Sequence, residues 1–270
     1  TGGCVTLNGK PVTKPSADVR EGDRIEVSGD PIGYVSRGAL KLKAAFEAFG
    51  LSADGKNAAD IGASTGGFTE YLLEQGVARV YAVDSGTNQL AAKLRADRRV
   101  VSMEKYNARN LSIDDFDGGV DLAVMDVSFI SQTLILPALV GILKEQAFFV
   151  GLIKPQFEAG RDAIGKGGIV KNAVSRAMAI KKVIDCAAAN GLAFCGLILS
   201  PILGGDGNTE YLACFSRGDM MQPYMGNIDL PVYSDASGYS CGNSSYSGGW
   251  RNDVWLVLGS DSFLCGCLSG

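Results

Sequence analysis

Asp60, Asp84, Asp126 and Lys154 each close an apolar run of this sequence, and such short runs read as buried strands of an α/β sheet. Ligands of these sheets bind outside the carboxyl ends of the strands, so the four charges share a natural meeting place. The stretch Asp60-Ile61-Gly62-Ala63-Ser64-Thr65-Gly66-Gly67-Phe68 reads as strand, glycine-rich turn and helix. Glycine accepts positive φ and lets backbone approach a ligand closely. The helix that follows offers unpaired N–H groups at its start. Gly62, Ala63, Ser64, Thr65, Gly66, Gly67 and Phe68 are therefore candidate cofactor contacts, with Asp60 placed to hold a cationic or hydroxyl-bearing part. A turn used only for packing is the competing reading. The spacing G-x-x-x-G-G differs from the dinucleotide fingerprint G-x-G-x-x-G. Asp84 ends the run Val80-Tyr81-Ala82-Val83, about twenty residues on, where such sites place a carboxylate on ribose hydroxyls. Together the turn and Asp84 point to a nucleoside-bearing cofactor.

Further along, Asn107 follows the strand Val100–Met103 and is a candidate adenine-edge contact, with plain turn chemistry as the alternative. Lys154 is followed by Pro155, which stops a strand ladder and holds the preceding residue extended. A lysine at the end of a doubly buried strand faces the ligand crevice. The segment Gly160 to Gly167 mimics a P-loop but lacks the terminal Ser/Thr that would bind magnesium. It reads better as a glycine loop carrying Lys166 and Lys171 over a substrate. Arg176, Lys181 and Lys182 fall on the polar side of a helix expected from Val174 to Ala189. The chain has no histidine, which excludes Ser-His-Asp catalysis and histidine metal sites. Its seven cysteines form no C-x-x-C pair; reduced core thiols of a cytoplasmic protein are expected, and no metal.

Three segments position these groups. Residues 1–29 hold strand-like Val5-Thr6-Leu7 and Ile25-Glu26-Val27 with an Asn8-Gly9 hairpin signal. Residues 30–217 open with Ser36 as a helix N-cap and an amphipathic helix through Leu40, Ala44 and Phe46 to Phe49. Lys41 lies off most of that apolar stripe, so a solvated face is its default reading. A helix from Asn88 to Leu94, a strand Leu192–Leu199 and a strand from Asn208 to Phe215 follow. Five βα-type units closed by a strand hairpin give an α/β fold with a seven-stranded, mostly parallel sheet whose last strand is reversed. From Gly218 to Gly270 there is no lysine and one strand-like run, Trp255 to Leu258; a disordered or unrelated tail is expected. That tail supplies the whole net charge of −4, leaving a neutral body. No apolar run reaches the ~20 residues of a membrane span. No secretory signal is read, and the opening Thr is what a fragment would show.

The motifs Ser36-Arg37-Gly38-Ala39-Leu40-Lys41-Leu42, Asp60 to Phe68, Asp126-Val-Ser-Phe-Ile, Ile153-Lys154-Pro-Gln-Phe-Glu and Asn208-Thr-Glu210-Tyr stand in this order. In this, residues 1 to 217 closely resemble the hemolysin A-type (TlyA) rRNA 2′-O-methyltransferases, which carry an FtsJ-like catalytic domain behind an S4 RNA-binding domain. Residues 1–29 are similar to the second half of that S4 domain; its arginine-bearing opening helices have no counterpart here. The resemblance implies a Rossmann-like class I methyltransferase fold, S-adenosyl-L-methionine as cofactor, and ribosomal RNA or a ribosomal subunit as partner. It also implies a Lys-Asp-Lys-Glu tetrad, matched by Lys41, Asp126, Lys154 and Glu210. A ribose 2′-hydroxyl is a poor acid and must lose its proton as it attacks a sulfonium methyl, a task for a neutral lysine. Lys154 is thus expected as base and Asp126 as its orienter, with Asp126 also lining the donor site. Lys41 and Glu210 would then position the ribose, and Arg37, Lys166, Lys171, Arg176, Lys181 and Lys182 would meet phosphates. Two other readings stay open at this level. One is a nicotinamide-dependent dehydrogenase, since Asp84 also suits an NAD ribose; the other is a non-enzymatic RNA-binding or hemolysin-like protein.

Overall fold

Near the start of the chain, Val5–Leu7 (β1), Lys10–Pro11 (β2) and Ile25–Val27 (β3) form an antiparallel sheet in the order β2-β1-β3. They belong to a computed structural model that describes residues 5–12, 16–27 and 33–218, and the backbone of 253–258 and 262–267. Asn8 and Gly9 both take positive φ, 52° and 75°, as a tight two-residue hairpin turn requires. Asn8 also binds the Asp23 carboxylate (2.8 Å), which ties the hairpin to the turn before β3.

Helix α1 (Gly38–Phe49) buries Ala39, Leu42, Ala45 and Phe46 at helical spacing and ends where Gly50 turns left-handed (φ 62°). It begins one residue later than Ser36 as N-cap would place it, although the Ser36 hydroxyl still accepts the Gly38 N–H at 3.3 Å. Asn57–Ile61 (β4), α2 (Gly67–Glu74) and Arg79–Val83 (β5) are the first strand–helix–strand unit. The helix expected from Asn88 to Leu94 is reduced to one turn, α3 (Ala92–Arg95). Asn88 is left-handed (φ 55°) and its N–H is held by Glu104, which blocks an earlier start. Strands Val100–Met103 (β6) and Val120–Met125 (β7), helix α4 (Leu136–Ile142) and the long strand Leu143–Ile153 (β8) follow. A single turn α5 (Pro155–Glu158), helix α6 (Ala173–Ala189) and strands Leu192–Leu199 (β9) and Tyr211–Arg217 (β10) complete the body.

The seven strands run β6-β5-β4-β7-β8-β10-β9. β4 pairs in parallel with β5 and β7, β6 with β5 and β8 with β7, whereas β10 is antiparallel to both neighbours. The expected sheet with a reversed final strand is therefore present. Alternate residues of each strand feed separate cores. Ile61, Met125, Phe149 and Phe215 meet α4 and α6 on one face; Ala58, Val124, Val150 and Leu212 meet α1 and α2 on the other. Both faces are covered, so the strands read as nearly continuous apolar runs. Chain order reverses beside β4, the switch point where such sheets open a crevice. The strand expected to begin at Asn208 begins at Tyr211, because Asn208 is occupied in bonding Val170 N–H and Gly168 O across the loop.

Two further strands, Asp253–Leu258 (β11) and Ser262–Cys267 (β12), pair with each other. The strand-like run Trp255 to Leu258 lies in β11; β12 shows no comparable pattern in the sequence. The other residues from 219 to 270 lie outside the described set.

Candidate active site

A cleft of about 280 Å³ opens at the carboxyl ends of β4 and β7, lined by Arg37, Lys41, the glycine turn (Gly62 to Thr65, Gly67 and Phe68), Asp126, Ser128 and Lys154 among others. Its first wall is the glycine turn. Gly62 has φ +85°, and a side chain there would collide with the Asp126 carbonyl and with Val127. Gly67 is pressed against Ser36 and the first turn of α1, so glycine is required where α1 and α2 touch. That contact brings Lys41 to the cleft. Asp84 braces the turn from behind, accepting Ser64 N–H (2.8 Å) and Gly86 N–H (2.6 Å).

Asp60 is wholly buried beneath the turn. Its Oδ2 accepts the Thr69 hydroxyl at 2.6 Å, while Oδ1 has no partner among the described residues. Burial pushes its carboxyl up to about 7; the Thr69 bond opposes this, and the nearby Asp126 and Asp84 carboxylates add to it. Asp126 lines the cleft and the Asp60 and Asp84 carboxylates lie close behind it, which makes this end of the site suited to a cation.

The second wall carries Lys154. Its ammonium lies 2.6 Å from Asp126 Oδ1 as an ion pair, and its directed hydrogen bond goes to Ser128 Oγ at 2.9 Å. Pro155 starts α5 immediately afterwards, so Lys154 is fixed in extended backbone at the helix N-cap, as the proline implies. Lys41 meets Glu210 at 2.5 Å, with both side chains buried. The solvated face expected for Lys41 from helical periodicity is overturned: Glu210, 169 residues away, supplies the countercharge that allows burial. Glu210 stands in the loop just before β10, and Gly204 packs so tightly on its carboxylate that a side chain there would clash.

The structure gathers Arg37, Lys41, Gly62, Ala63, Ser64, Thr65, Gly67, Phe68, Asp126 and Lys154 around one cleft. Asp60, Gly66, Asp84 and Glu210 stand behind it; Gly66 packs against Leu90 and Leu94. Asn107 caps the turn Ala108–Asn110, its Oδ1 accepting Arg109 N–H at 3.1 Å. Of the expected phosphate contacts, Arg176 points inward to Tyr211 Oη and the carbonyls of Val170 and Lys171. Lys181 pairs with Asp185, and Lys182 with the Glu158 carbonyl. Arg37, Lys166 and Lys171 are exposed. The P-loop-like segment makes two isolated turns, and α6 begins only at Ala173, so it does not lead directly into a helix as a P-loop does. Ser36, Gly38 and Ser128 also line the cleft without having been named as site residues; all three lie inside quoted motifs, Ser36 also as the expected N-cap, and those motifs are the signal that could have found them. Phe129 follows, 91% exposed and with φ 64°, its ring 5.2 Å from that of Phe157.

A doubly wound sheet with a glycine turn, strand-end carboxylates and a lysine in one crevice is the arrangement of a Rossmann-like enzyme. The chain belongs to the FtsJ-like methyltransferases, whose family model matches residues 34–217. It is 47% identical over 218 residues to hemolysin A of Brachyspira hyodysenteriae, spanning 79% of this chain and 89% of that one. It is 45% identical over 210 residues to the 16S/23S rRNA (cytidine-2′-O)-methyltransferase TlyA of Mycobacterium tuberculosis, spanning 77% and 78%. A solved Streptococcus thermophilus structure described as a hemolysin superposes with a TM-score of 0.71 at 46% identity, covering 83% of this chain and 82% of that one. Among the described residues, no helix is long and apolar enough to cross a membrane.

Proposed function

We propose that this chain methylates a ribose 2′-hydroxyl of ribosomal RNA using S-adenosyl-L-methionine, with Lys154 taking the hydroxyl proton. One observation carries the reading. Lys154, Asp126 and the Lys41–Glu210 pair converge on the cleft walled by the glycine turn. The cofactor fits what the residues offer, since an unpartnered buried carboxylate oxygen on Asp60 and the carboxylates of Asp84 and Asp126 suit a molecule with two positive centres. When bound, it supplies a methyl group activated by a sulfonium. Gly62 to Phe68 would carry its backbone contacts and Asp84 its ribose.

Asp126 orients the substrate hydroxyl, whose O–H bond breaks toward Lys154, acting in its amine form, as the 2′-oxygen bonds the methyl and the methyl–sulfur bond opens to leave a thioether. Asp126 and Ser128 then hold the ammonium that forms. Lys41, fixed by Glu210, donates to an oxygen of the target nucleotide. Holding the hydroxyl in line with the methyl supplies most of the rate. Arg37, Lys166 and Lys171 face solvent and would meet phosphates, while the bare ring of Phe129 offers a base a stacking surface. The sheet of residues 5–27, with Lys10, Arg20 and Arg24 exposed, would add a second RNA contact. Membership of a methyltransferase family favours methyl over hydride transfer.

The test is transfer of tritiated methyl to 30S subunits, 50S subunits and naked rRNA, with the modified nucleotide mapped. A ribose 2′-O-methyl is expected; transfer to a base, or to no RNA, overturns the proposal. In Lys154→Ala, transfer falls by about 10²–10⁴-fold while calorimetry finds S-adenosylmethionine still bound. Turnover at the wild-type rate would remove Lys154 from the base role.

A further inference from the structure

The catalytic pair stands on two segments that leave the sheet. The last rung between β7 and β8 joins Met125 to Gly151, and Asp126 and Lys154 both lie beyond it. No direct rung between β7 and β8 therefore fixes their separation: Asp126 N–H is held by the Ile61 carbonyl of β4 at 2.9 Å, and Lys154 follows the β8–β10 rung of Ile153 with Tyr211. Beyond the bonds of Lys154 itself to Asp126 and Ser128, the chain after Asp126 is joined to the chain around Lys154 by one buried carboxylate and one buried carboxamide.

Glu158, at the end of α5, is 4% exposed. Its Oε1 accepts the Gln132 N–H at 2.7 Å, and its Oε2 accepts the Ser131 hydroxyl. Gln132, 2% exposed, reaches back so that its Nε2 donates to the Leu152 carbonyl at 2.6 Å. Gly151 is required below it, because a side chain there would lie 2.6 Å from Gln132 Oε1. Lys182 supplies the countercharge, 3.8 Å from Glu158 Oε2 and bonded to the Glu158 carbonyl at 3.0 Å. The Phe129–Phe157 contact closes the same gap from outside.

We infer that Glu158 is a positioning residue for methyl transfer, fixing the Lys154 segment against the Asp126–Ser128 segment through Ser131 and Gln132. It sits four residues after Lys154, one turn of α5 away, so a shift at Glu158 passes directly to the Lys154 backbone. Gln132 forms a second strap from the same segment, which makes the join a closed ring of chain rather than a single contact. The inference rests on the base role proposed for Lys154.

Glu158→Ala and Glu158→Gln test it. Glutamine keeps an oxygen for the Gln132 N–H and an amide that can donate to Ser131, whose oxygen is 2.7 Å from Thr133 Oγ1 and can donate there in turn. Alanine removes both bonds. A misplacement on the order of 1 Å costs up to about 10²-fold, so Glu158→Ala should lower kcat roughly 10- to 100-fold. KM for RNA and Kd for S-adenosylmethionine should stay within about twofold, since the glycine turn is untouched, and Glu158→Gln should recover most of the rate. Hydrogen exchange gives a readout independent of activity: the Gln132 amide should exchange at least about tenfold faster in Glu158→Ala, with the amides of the glycine turn unchanged. Should Glu158→Ala not fold, Ser131→Ala, which removes one of the two bonds, should show a smaller fall in kcat alone. Unchanged Gln132 exchange, wild-type kcat, a loss confined to cofactor affinity, or a Glu158→Gln variant as impaired as alanine each overturns the inference. If the wild-type chain methylates no RNA, the proposed function fails and the exchange experiment alone decides whether the join exists.

Discussion

Replacing Asp60 with asparagine should change how stability depends on pH, and the sign is fixed by the structure. The Asp60 carboxyl is buried and raised from its ordinary 3.8 to about 7. Below both values it is neutral in the folded and unfolded chain, so it costs nothing. Between them the unfolded chain releases the proton and the folded chain keeps it, so stability falls as pH rises and levels off above 7. The full shift corresponds to on the order of 4 kcal/mol, more than half of which develops between pH 5 and pH 8. Asparagine keeps an oxygen for the Thr69 hydroxyl and cannot ionise. Urea melts followed by far-UV circular dichroism should therefore show the variant gaining on the wild type by on the order of 2–3 kcal/mol over that range. Comparing the two chains cancels carboxylates shifted the other way, such as Asp97, held down to about 2 by its bonds from Arg99. The Asp60 carboxyl must also shed its proton to serve a cation, so wild-type affinity for S-adenosylmethionine should rise with pH up to about 7 and then flatten. A stability difference independent of pH, within about 0.5 kcal/mol, would refute the raised carboxyl and the account of cofactor binding built on it.

Two further perturbations probe the walls of the cleft. Glu210→Gln strips the buried Lys41 ammonium of its countercharge and should cost about 3–5 kcal/mol; the double variant Lys41→Met/Glu210→Gln should recover part of the stability by urea melt while remaining inactive in methyl transfer. Gly62→Ala forces a side chain onto φ +85° and into the Asp126 carbonyl, so it should lose about 1–3 kcal/mol and weaken S-adenosylmethionine binding by calorimetry. A stable, tightly binding Gly62→Ala would show that the turn is looser than its contacts indicate.

The parts of this site legible in the sequence are those written by local punctuation. A proline after Lys154, glycines after Asp60 and apolar runs ending in acid each leave a mark within a few residues, and all three lie where that punctuation puts them. The expected mostly parallel sheet, its reversed last strand and the glycine turn likewise follow from short patterns repeated along the chain. What periodicity missed depends on partners far away in sequence. Lys41 sits off the apolar stripe of α1 and would be solvated but for Glu210 across the fold. The residues from Asn88 to Leu94 have the composition of a helix, yet Leu90 and Leu94 are needed against Gly66, and Glu104 holds Asn88 out of helical geometry.

The same contrast explains why Glu158 drew no notice as more than part of a quoted motif. A glutamate one turn after a proline is what any exposed helix start offers, and its favourable place near a helix N-terminus would account for it without any partner. Only the folded chain shows the carboxylate buried against Ser131 and Gln132, where it cannot be a solvated first-turn charge. The catalytic chemistry is thus announced by residues that interrupt the local pattern, whereas the groups that hold it in register conform to that pattern and are visible only through their contacts. On the proposed mechanism, in which alignment supplies most of the rate, the second kind should matter to kcat nearly as much as the first, and the contrast between alanine and glutamine at position 158 measures that share.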